Sequence, residues 1–276
     1  MKKIKTTKLL TLLLLVATLI IGCSNNESET IIGGADAPTD TNVSSSTGEK
    51  TEIVMGLDDT FAPMGFRDDN GELVGFDVDL ANEVAKRIGV AIKFQPIDWS
   101  MKETELNAGN IDLIWNGYTI TPERQEKVAF TKPYLENSQI IVTLADSSIN
   151  TKEDLSGKTV CVQAESSALD AINAEPDVAA SFKDLFEFST NNEAFNDLES
   201  GRSQALVVDE VLARYYMKQK GEENYKVLED DFGDEEYGIG VRKDDTELLE
   251  NIDKAFDEMR NDGTYDEIYA KWFSEN

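Results

Sequence analysis

No histidine occurs among the 276 residues, and the chain has only two cysteines, Cys23 and Cys161. Histidine is the usual general base, proton shuttle and metal ligand near neutral pH, so its absence removes the commonest catalytic and metal-binding chemistry. No G-x-S-x-G nucleophile elbow occurs either. The 54 acidic residues leave acid–base chemistry open, but their spacing selects no pair. We therefore expect no enzymatic activity, no cofactor and no metal ion.

Positive charge is also scarce. Lys and Arg number 26 against 54 Asp and Glu, which gives a formal net charge of −28. A surface with this balance repels phosphate backbones and anionic lipid headgroups. Nucleic acid is therefore excluded as a partner.

Two apparent ligand motifs fail on inspection. Gly157-Lys158-Thr159 resembles the end of a P-loop, but the glycine required five positions earlier is Lys152. The segment from Asp68 to Asp77 imitates part of a calcium loop, but its first ligand position is Phe66, which cannot coordinate a cation. Asn70-Gly71 within this segment instead predicts a tight β-hairpin.

The apolar run from Leu9 to Ile21 is too short to cross a bilayer comfortably, since about 20 residues are needed. It follows a basic start and is typical of a secretory signal peptide over residues 1–22. Ile20-Ile21-Gly22-Cys23 resembles the bacterial lipobox, in which the cysteine is lipidated. An ordinary cleavage site with a chance cysteine is the alternative. Lipidation of Cys23 would place the protein outside the cell, anchored to the outer face of the cytoplasmic membrane.

Residues 23–50 are predicted to be a lipid-anchored flexible linker. Ser, Thr, Asn, Asp and Gly dominate the segment after Cys23, which shows neither helical nor strand periodicity. A flexible coil of this length spans roughly 30 Å root-mean-square, enough to let a tethered domain reorient above a membrane.

Strands and helices alternate after residue 50, which predicts an α/β fold with mostly parallel sheets. Ile53-Val54-Met55 is a short apolar run typical of a buried strand. Leu80, Val84 and Ile88 form one helical stripe, with Gly89 as the expected end of the helix. Other predicted strands cover residues 91–94, 111–114, 140–144, 159–162 and 205–208. Two helices are predicted near the C-terminus, with capping-box spacing at 244–247 and 264–267.

The segment from Gly75 to Ile88 resembles the signature of the polar amino-acid binding proteins of ABC transporters, solute-binding protein family 3. The resemblance extends over roughly residues 51–274. Five further motifs occur in the family's order: Gly56 to Pro63, Thr119 to Arg124, Ser166-Ser167, Val208-Asp209-Glu210, and Gly263 to Asp266. Each motif is weak alone, but together they are specific.

The resemblance implies a periplasmic-binding-protein-like type II fold, with two α/β lobes joined by a two-strand hinge. Carried onto this chain, it places one lobe at 51–138 and 234–276 and the other at 139–233. The hinge segments would lie near Ser138–Val142 and Asp234–Gly240. The ligand would bind in the cleft between the lobes.

An amino-acid zwitterion needs a cation for its carboxylate and an anion for its ammonium. The family match implies that Arg124 binds the carboxylate, because its planar guanidinium can donate two parallel hydrogen bonds. Spacing alone equally allows a surface arginine paired with Glu123 or Glu126. Asp209 is implied as the ammonium partner, although it could simply cap the following helix.

Backbone N–H groups are expected to complete the carboxylate site. Ser166-Ser167 opens a helix, and Ser167 with Asp170 has capping-box spacing. The family usually has glycine where Glu165 stands, so a positive φ there would strain this chain. The remaining expected contacts surround the backbone and side chain of the ligand: Asn116, Gly117, Thr119, Asp58, Phe61, Trp99 and Tyr118.

These residues predict a receptor that captures a free polar L-amino acid and delivers it to an ABC permease, acting as a monomer. Asp58 beside Asp59 disfavours glutamate and aspartate, and leaves cystine, glutamine and basic amino acids as ligands. The alternatives are an enzyme of the same fold, dehydratase-like or lytic transglycosylase-like, or a ligand sensor.

Overall fold

The computed structural model describes residues 51–274. The predicted signal peptide (1–22), the predicted linker (23–50) and Cys23 lie outside the described residues. The strands are β1 Glu52–Leu57, β2 Thr60–Phe61, β3 Gly65–Arg67, β4 Leu73–Val74, β5 Ala91–Pro96, β6 Leu113–Ile114, β7 Ala129–Phe130, β8 Leu135–Leu144, β9 Thr159–Gln163, β10 Asp184–Phe188, β11 Ala205–Asp209, β12 Tyr225–Tyr237 and β13 Gly240–Val241.

The helices alternate with these strands along the chain, as the sequence predicts. They are α1 Phe76–Ile88, α2 Lys102–Ala108, α3 Pro122–Lys127, α4 Ser167–Ala174, α5 Pro176–Ser181, α6 Asn191–Glu199, α7 Glu210–Lys220, α8 Thr246–Asp262 and α9 Thr264–Phe273. Within residues 51–274, none of them combines the length and the apolar character needed to cross a bilayer.

Two five-stranded sheets organise the chain. The first has the order β5-β1-β6-β13-β7 and the second β10-β9-β11-β8-β12. We call the part built on the first sheet lobe 1 and the part built on the second lobe 2. Each sheet has one strand that is antiparallel to the other four. This strand is β13 in the first sheet and β8 in the second. Each of these opposed strands is the first that the chain forms after it arrives from the other sheet.

The chain crosses between the lobes twice. It leaves lobe 1 after β7 and enters lobe 2 with β8, then returns between β12 and β13. β8 and β12 pair as a long antiparallel ladder from Tyr225–Leu144 to Tyr237–Leu135. The predicted two-lobed α/β fold with two connecting strands is confirmed, while the predicted lobe boundaries at 138/139 and 233/234 stay a prediction.

Buried apolar side chains cover both faces of each sheet. In β11, Leu206 and Val208 pack on one face, and Ala205 and Val207 pack on the other. This alternation follows from the period of two along a strand. Burial on both faces explains why the strand reads as a continuous apolar run in the sequence.

Local signals in the sequence account for the elements around β1. Helix α1 buries Leu80 and Val84 and ends at Gly89, whose φ of 77° is the left-handed conformation that glycine tolerates. The Asn70-Gly71 turn joins β3 and β4 as predicted. Asp68 Oδ1 stabilises it by accepting hydrogen bonds of 2.9 Å from the backbone N–H groups of Asn70 and Glu72.

The predicted capping boxes near the C-terminus are wrong. Helix α8 begins at Thr246 with no side-chain cap, and α9 begins at Thr264 itself. Gly263, with φ 86°, is both the last capping residue of α8 and the N-cap of α9. Thr264 is therefore the first residue inside α9 and cannot be its N-cap. Asp262 Oδ1 instead accepts a 3.0 Å hydrogen bond from the Thr264 backbone N–H.

Candidate ligand-binding cleft

The predicted site residues lie where strands of the two sheets end. In lobe 1, Asp58 follows β1 and the segment from Asn116 to Thr119 follows β6. In lobe 2, Ser166 and Ser167 follow β9, and Asp209 is the last residue of β11. The carboxyl ends of parallel strands are the usual place for ligands in α/β sheets. All of these side chains are buried, apart from Gly117, which has none.

Arg124 is buried in the third position of α3, with 4% of its surface exposed. Pro122 opens the helix, and Thr121 Oγ1 accepts a 3.1 Å hydrogen bond from the Arg124 backbone N–H, so the predicted cap is present. The guanidinium carbon lies 4.8 Å from the centre of the Tyr118 ring. Its Nη1 donates to the Thr119 carbonyl oxygen at 3.1 Å.

The surface pairing that spacing alone allowed for Arg124 does not occur. Glu123 pairs with Lys127 instead, at 2.8 Å. The one carboxylate that pairs with Arg124 in residues 51–274 is Asp170 of lobe 2, 3.6 Å from Nη2. Burial raises the pKa of Asp170, while the guanidinium acts to lower it. Arg124 therefore faces lobe 2 and keeps donors beyond the one that Thr119 accepts.

Asp209 is buried at the end of β11, with 4% exposed. Its Oδ1 accepts hydrogen bonds from Asn137 Nδ2 at 2.9 Å, Gln139 Nε2 at 2.9 Å and the Tyr237 hydroxyl at 2.5 Å. It does not cap α7 through its side chain, so the capping alternative is not observed. Burial, and then the charge of Glu235, raise the pKa of Asp209 well above its ordinary range.

A continuous path of hydrogen bonds links Arg124 to Asp209 across the two lobes. Arg124 bonds the carbonyl of Thr119, and Thr119 Oγ1 donates to Ser167 Oγ at 3.0 Å. Gln139 Nε2 then donates both to Ser167 Oγ at 3.1 Å and to Asp209 Oδ1. Arg124 of lobe 1 and Asp209 of lobe 2 thus stand at the two ends of one chain of contacts, which crosses between the lobes at Thr119 and Ser167.

The helix that follows Ser166 begins one residue earlier than its predicted capping box implies. Ser166, not Ser167, is the N-cap of α4, and its Oγ accepts a 3.1 Å hydrogen bond from the Leu169 backbone N–H. The predicted pairing of Ser167 with Asp170 is therefore wrong. Because Ser166 is the cap, the Ser167 hydroxyl can accept the hydrogen bond from Thr119 Oγ1. The exposed backbone N–H groups of this helix end suit an anion.

Glu165 adopts a left-handed backbone conformation, with φ 53°. Strain is expected at this position if it requires a positive φ, and it does. Among residues 51–274 it is the one non-glycine residue with positive φ. Its carbonyl oxygen accepts a 2.9 Å hydrogen bond from Lys102 Nζ of lobe 1.

Asp58 is held by both lobes. Its Oδ1 accepts hydrogen bonds from the Thr60 backbone N–H at 2.9 Å and the Thr60 hydroxyl at 2.7 Å. Its Oδ2 accepts a 3.1 Å hydrogen bond from Gln163 Nε2 of lobe 2. Burial raises the pKa of Asp58, and the bonds from Thr60 and Gln163 oppose that rise. A hydrogen-bond donor of the ligand would stabilise the charged carboxylate and so offset the cost of its burial.

Two of the predicted aromatic side chains, Trp99 and Tyr118, are in direct contact. Trp99 meets Tyr118 edge to face, with ring centres 5.9 Å apart, and Tyr118 stacks on Phe130 at 5.0 Å. The Tyr118 hydroxyl donates to Glu103 Oε1 at 2.9 Å. Trp99 and Tyr118 belong to a buried apolar cluster in lobe 1, and Phe61 is buried in the larger core. These side chains therefore serve as core whether or not they also touch a ligand.

The structure gives Gly117 and Asn116 structural partners of their own. The Gly117 N–H donates to Asp77 Oδ2 at 2.9 Å, so it is not available to a ligand. Asn116 Oδ1 accepts a 3.0 Å hydrogen bond from the Asp58 backbone N–H. Asn116 Nδ2 is buried and has no hydrogen-bond partner. An amide nitrogen can only donate a hydrogen bond, whereas an ammonium group requires an acceptor, so Asn116 Nδ2 cannot bind the ammonium.

Several cleft residues were missed by sequence reasoning. Lys102 is 2% exposed, and burial, followed by the charge of Arg124, lowers its pKa to about 8. Gln139 is 1% exposed, and Gln163 is also buried. The signal that could have found the glutamines is a polar residue inside or at the end of an otherwise apolar strand. Lys102, one turn after Trp99 on a polar helix, carried no such signal.

The family model for bacterial extracellular solute-binding proteins, family 3, matches residues 53–275. The chain belongs to this family. The predicted resemblance is confirmed over the same stretch of sequence that builds both lobes.

The names of similar proteins agree with the assignment of this chain to solute-binding protein family 3. The lysine/arginine/ornithine-binding periplasmic protein of Escherichia coli is 33% identical over 231 residues, covering 81% of this chain and 88% of the relative. The crystal structure of an ABC uptake transporter substrate binding protein from Streptococcus pneumoniae with bound histidine is 42% identical, with a TM-score of 0.79. The match covers 82% of this chain and 93% of that structure.

A second similar structure bears on the question of catalysis. It is an ancestral amino acid-binding protein described as a precursor of cyclohexadienyl dehydratase, and it is 36% identical with a TM-score of 0.74. The match covers 81% of this chain and 96% of that structure. The named relative from Escherichia coli is a binding protein rather than an enzyme. Family 3 membership therefore identifies a solute-binding protein, while the fold is also related to an enzyme lineage.

Proposed function

We propose that this protein captures a free polar L-amino acid outside the cytoplasm and delivers it to an ABC importer without transforming it. The ligand zwitterion bridges the lobes, with its carboxylate on Arg124 and its ammonium on Asp209. Because the two charges belong to different lobes, the ligand stabilises the closed arrangement. An affinity in the micromolar range or tighter corresponds to about −8 kcal/mol or better.

The observation that carries the proposal is the path from Arg124 through Thr119, Ser167 and Gln139 to Asp209. It supports a single cleft that offers a buried cation and a buried carboxylate at once. Asp209 Oδ1 takes all three protein hydrogen bonds made to this carboxylate in the described chain. Its Oδ2 therefore remains for the ammonium group.

The chemistry around Asp58 supports a ligand whose side chain ends in a hydrogen-bond donor. Gln163 and Thr60 donate to this carboxylate, but no cation pairs with it in residues 51–274. A cationic or amide group at the tip of the ligand would supply the missing donor. Basic amino acids, glutamine and cystine fit this requirement, whereas a glutamate side chain would meet like charge.

The anchoring and delivery steps are part of the same proposal. Lipidation of Cys23 would tether the domain through residues 23–50, and the exposed surfaces of both lobes would dock on the permease. We propose a monomeric receptor, with lobes 51–138 plus 234–276 and 139–233. The linker would allow the domain to face the permease while its lipid stays in the membrane.

Catalysis is not favoured by the cleft. A dehydratase or a glycan-cleaving enzyme needs an acid or base aimed at substrate, and Asp209 is instead surrounded by three donors that orient it for a cation. Incubation with prephenate and with peptidoglycan tests this point. Release of product from either substrate would overturn the non-catalytic assignment.

A thermal-shift screen of the full chain against the twenty amino acids and cystine tests the function directly. We expect at least one of arginine, lysine, histidine, glutamine or cystine to raise the unfolding temperature, and glutamate and aspartate to leave it unchanged. Calorimetry then gives the affinity. Stabilisation by none of these amino acids, or by glutamate alone, would contradict the proposal.

A further inference from the structure

Asp209 has a second carboxyl group beside it, on the neighbouring part of the same sheet. In the pairing register, Asp209 of β11 lies opposite Gln139 of β8, and Asn137 of β8 lies opposite Glu235 of β12. Asn137 and Gln139 are two residues apart, so their side chains share one face of the sheet. The two amides therefore lie between the two carboxyl groups.

Both amide groups donate to both carboxyl groups. Asn137 Nδ2 is 2.9 Å from Asp209 Oδ1 and 2.7 Å from Glu235 Oε1. Gln139 Nε2 is 2.9 Å from each of the same two oxygens. Glu235 Oε1 and Asp209 Oδ1 thus have the same two nitrogen neighbours, which holds the carboxyl groups close together.

Gln139 Nε2 has more acceptors around it than hydrogens to donate. Each amide nitrogen carries two hydrogens, and Gln139 Nε2 has three acceptors within reach, because Ser167 Oγ is a third at 3.1 Å. Gln139 Oε1, in turn, is buried without any donor. In the described chain the only carboxyl oxygens to which the amides and the Tyr237 hydroxyl donate are Asp209 Oδ1 and Glu235 Oε1, so the second oxygen of each carboxyl group remains to carry or accept a proton.

No cation compensates this pair. Among the described residues, neither Asp209 nor Glu235 forms an ion pair with a lysine or an arginine. Tyr237 of β12 also faces Asp209, and burial and the two carboxyl groups raise the pKa of that hydroxyl well above its ordinary value. The other charged groups that line a pocket with Glu235 are all acidic: Glu136, Glu210, Asp234 and Glu236. Asn137 and Gln139 from β8 and Ser167 from α4 are uncharged. Two carboxylates this close without a cation favour a shared proton.

We propose that Glu235 is a positioning residue for Asp209, and that the two carboxyl groups share a proton that leaves when an ammonium group binds. This inference rests on the proposed function, since the ammonium is that of the captured amino acid. Before binding, the pair carries one proton and one negative charge. After binding, both groups are carboxylates, the ammonium supplies the positive charge, and the proton passes to solvent.

The coupling sets how affinity depends on pH. Below the raised pKa of Asp209, binding must expel the proton, so affinity rises with pH by up to about tenfold per pH unit. Above that pKa the pair is already ionised, and this dependence disappears. The proton-sharing pair needs no lobe closure, because β8, β11 and β12 are neighbouring strands of one sheet.

The pair can be tested without any ligand by carbon-13 NMR titration of the carboxyl groups in the full chain, with Asp209 assigned through the spectrum of Asp209→Asn. We expect Asp209 to titrate above its ordinary range in the wild type. Glu235→Gln should lower that pKa by about one unit or more, because a neighbouring charge is removed. The matched control is Glu236→Gln, which removes the same charge from an exposed position on the opposite face of β12.

Equal Asp209 titration in Glu235→Gln and Glu236→Gln would overturn the proton-sharing pair. The binding half of the test uses L-arginine, L-glutamine and L-cystine, with calorimetry at pH 6 in two buffers of different ionisation enthalpy. Proton release in the wild type that is lost in Glu235→Gln supports the coupling, and equal release in both proteins overturns it. If no amino acid of the thermal-shift screen binds, the proposed ligand class fails, while the ligand-free titration still decides whether the carboxyl groups share a proton.

Discussion

Lys102 Nζ donates a 2.9 Å hydrogen bond to the carbonyl oxygen of Glu165, joining α2 of lobe 1 to the turn before α4 of lobe 2. Glu165 holds this carbonyl in place with a φ of 53°, which glycine adopts freely and other residues do not. A contact across the cleft is therefore made by a backbone group in an unfavourable conformation.

Glu165→Gly should stabilise the protein slightly. The left-handed conformation costs a non-glycine residue roughly 1–2 kcal/mol, and glycine loses about 0.5–1 kcal/mol through the freedom of its unfolded state. We expect a gain in the free energy of unfolding of up to about 1 kcal/mol, measured by urea denaturation. Glu165→Val is the contrasting variant, since a β-branched residue suits positive φ least and should destabilise. A clear loss of stability in Glu165→Gly would show that the turn is not strained.

Arg124→Ala should weaken amino-acid binding by roughly 3–5 kcal/mol, because it leaves the ligand carboxylate buried without its cation. Calorimetry with an amino acid identified by the thermal-shift screen measures this loss. Arg67→Ala is the control, since Arg67 is an exposed arginine of the same lobe that pairs with Asp59 at 2.8 Å. Comparable affinity in the two variants would rule out Arg124 as the carboxylate partner.

Asp209→Asn should reduce affinity by about 2–5 kcal/mol while the ligand-free protein keeps its stability. The amide preserves shape and one acceptor oxygen for Asn137, Gln139 and Tyr237, but it offers no charge to an ammonium group. Calorimetry measures affinity, and thermal unfolding of the ligand-free protein checks the fold. Full affinity in this variant would assign the ammonium site elsewhere.

Thr119→Val should weaken binding by about 1 kcal/mol, roughly fivefold, through loss of the 3.0 Å hydrogen bond to Ser167 between the lobes. Thr119→Ser retains the hydroxyl and should bind as the wild type does. Dissociation rates from stopped-flow fluorescence are the suitable readout, because closure of the lobes retains the ligand. A similar rate in both variants would mean that this bond does not support closure.

The stability of the protein should depend on pH through Asp77. Burial raises the pKa of Asp77 to about 7, although its Oδ2 accepts hydrogen bonds from the Gly117 N–H and the Tyr134 hydroxyl at 2.9 Å. The folded state therefore keeps the proton between about pH 4 and 7, where the unfolded state loses it, so this contribution is full below pH 4 and is lost as the pH rises to 7.

Asp77→Asn should remove that dependence. The difference in the free energy of unfolding between variant and wild type, measured at pH 5 and pH 7.5, should shift in favour of the variant at the higher pH. Asp68→Asn is the opposite case: backbone hydrogen bonds lower the pKa of this exposed carboxyl, so its contribution is present above its ordinary pKa and disappears on acidification. A constant difference for Asp77→Asn across both pH values would contradict the prediction.

Strong local patterns allowed much of the fold to be predicted. The stripe of Leu80 and Val84 with Gly89 after it predicted α1, and the apolar run Ala205–Val208 predicted β11. Helix ends were less predictable, as Ser166 and Thr264 show, because several neighbouring polar residues can satisfy the same spacing. Which of them becomes the cap depends on where the preceding turn leaves the chain.

The ligand-binding residues were approached from the sequence only through charge and family resemblance. The structure connects Arg124 to Asp209 through Thr119, Ser167 and Gln139, but it also assigns the Gly117 N–H to Asp77. The contribution of Lys102 could not be read from the sequence, because its partner Glu165 is 63 residues away. Contacts at such separation depend on how the two sheets are placed.

The sequence by itself determined the α/β class, the run of apolar strands, the family and the two opposite charges expected at the ends of a zwitterion. These features depend on local periodicity and on residue type. Only the tertiary structure decided that Glu235 lies beside Asp209 and that Lys102 reaches Glu165. The reason is physical: strand pairing and lobe contact bring together residues whose separation along the chain carries no information about their distance in space.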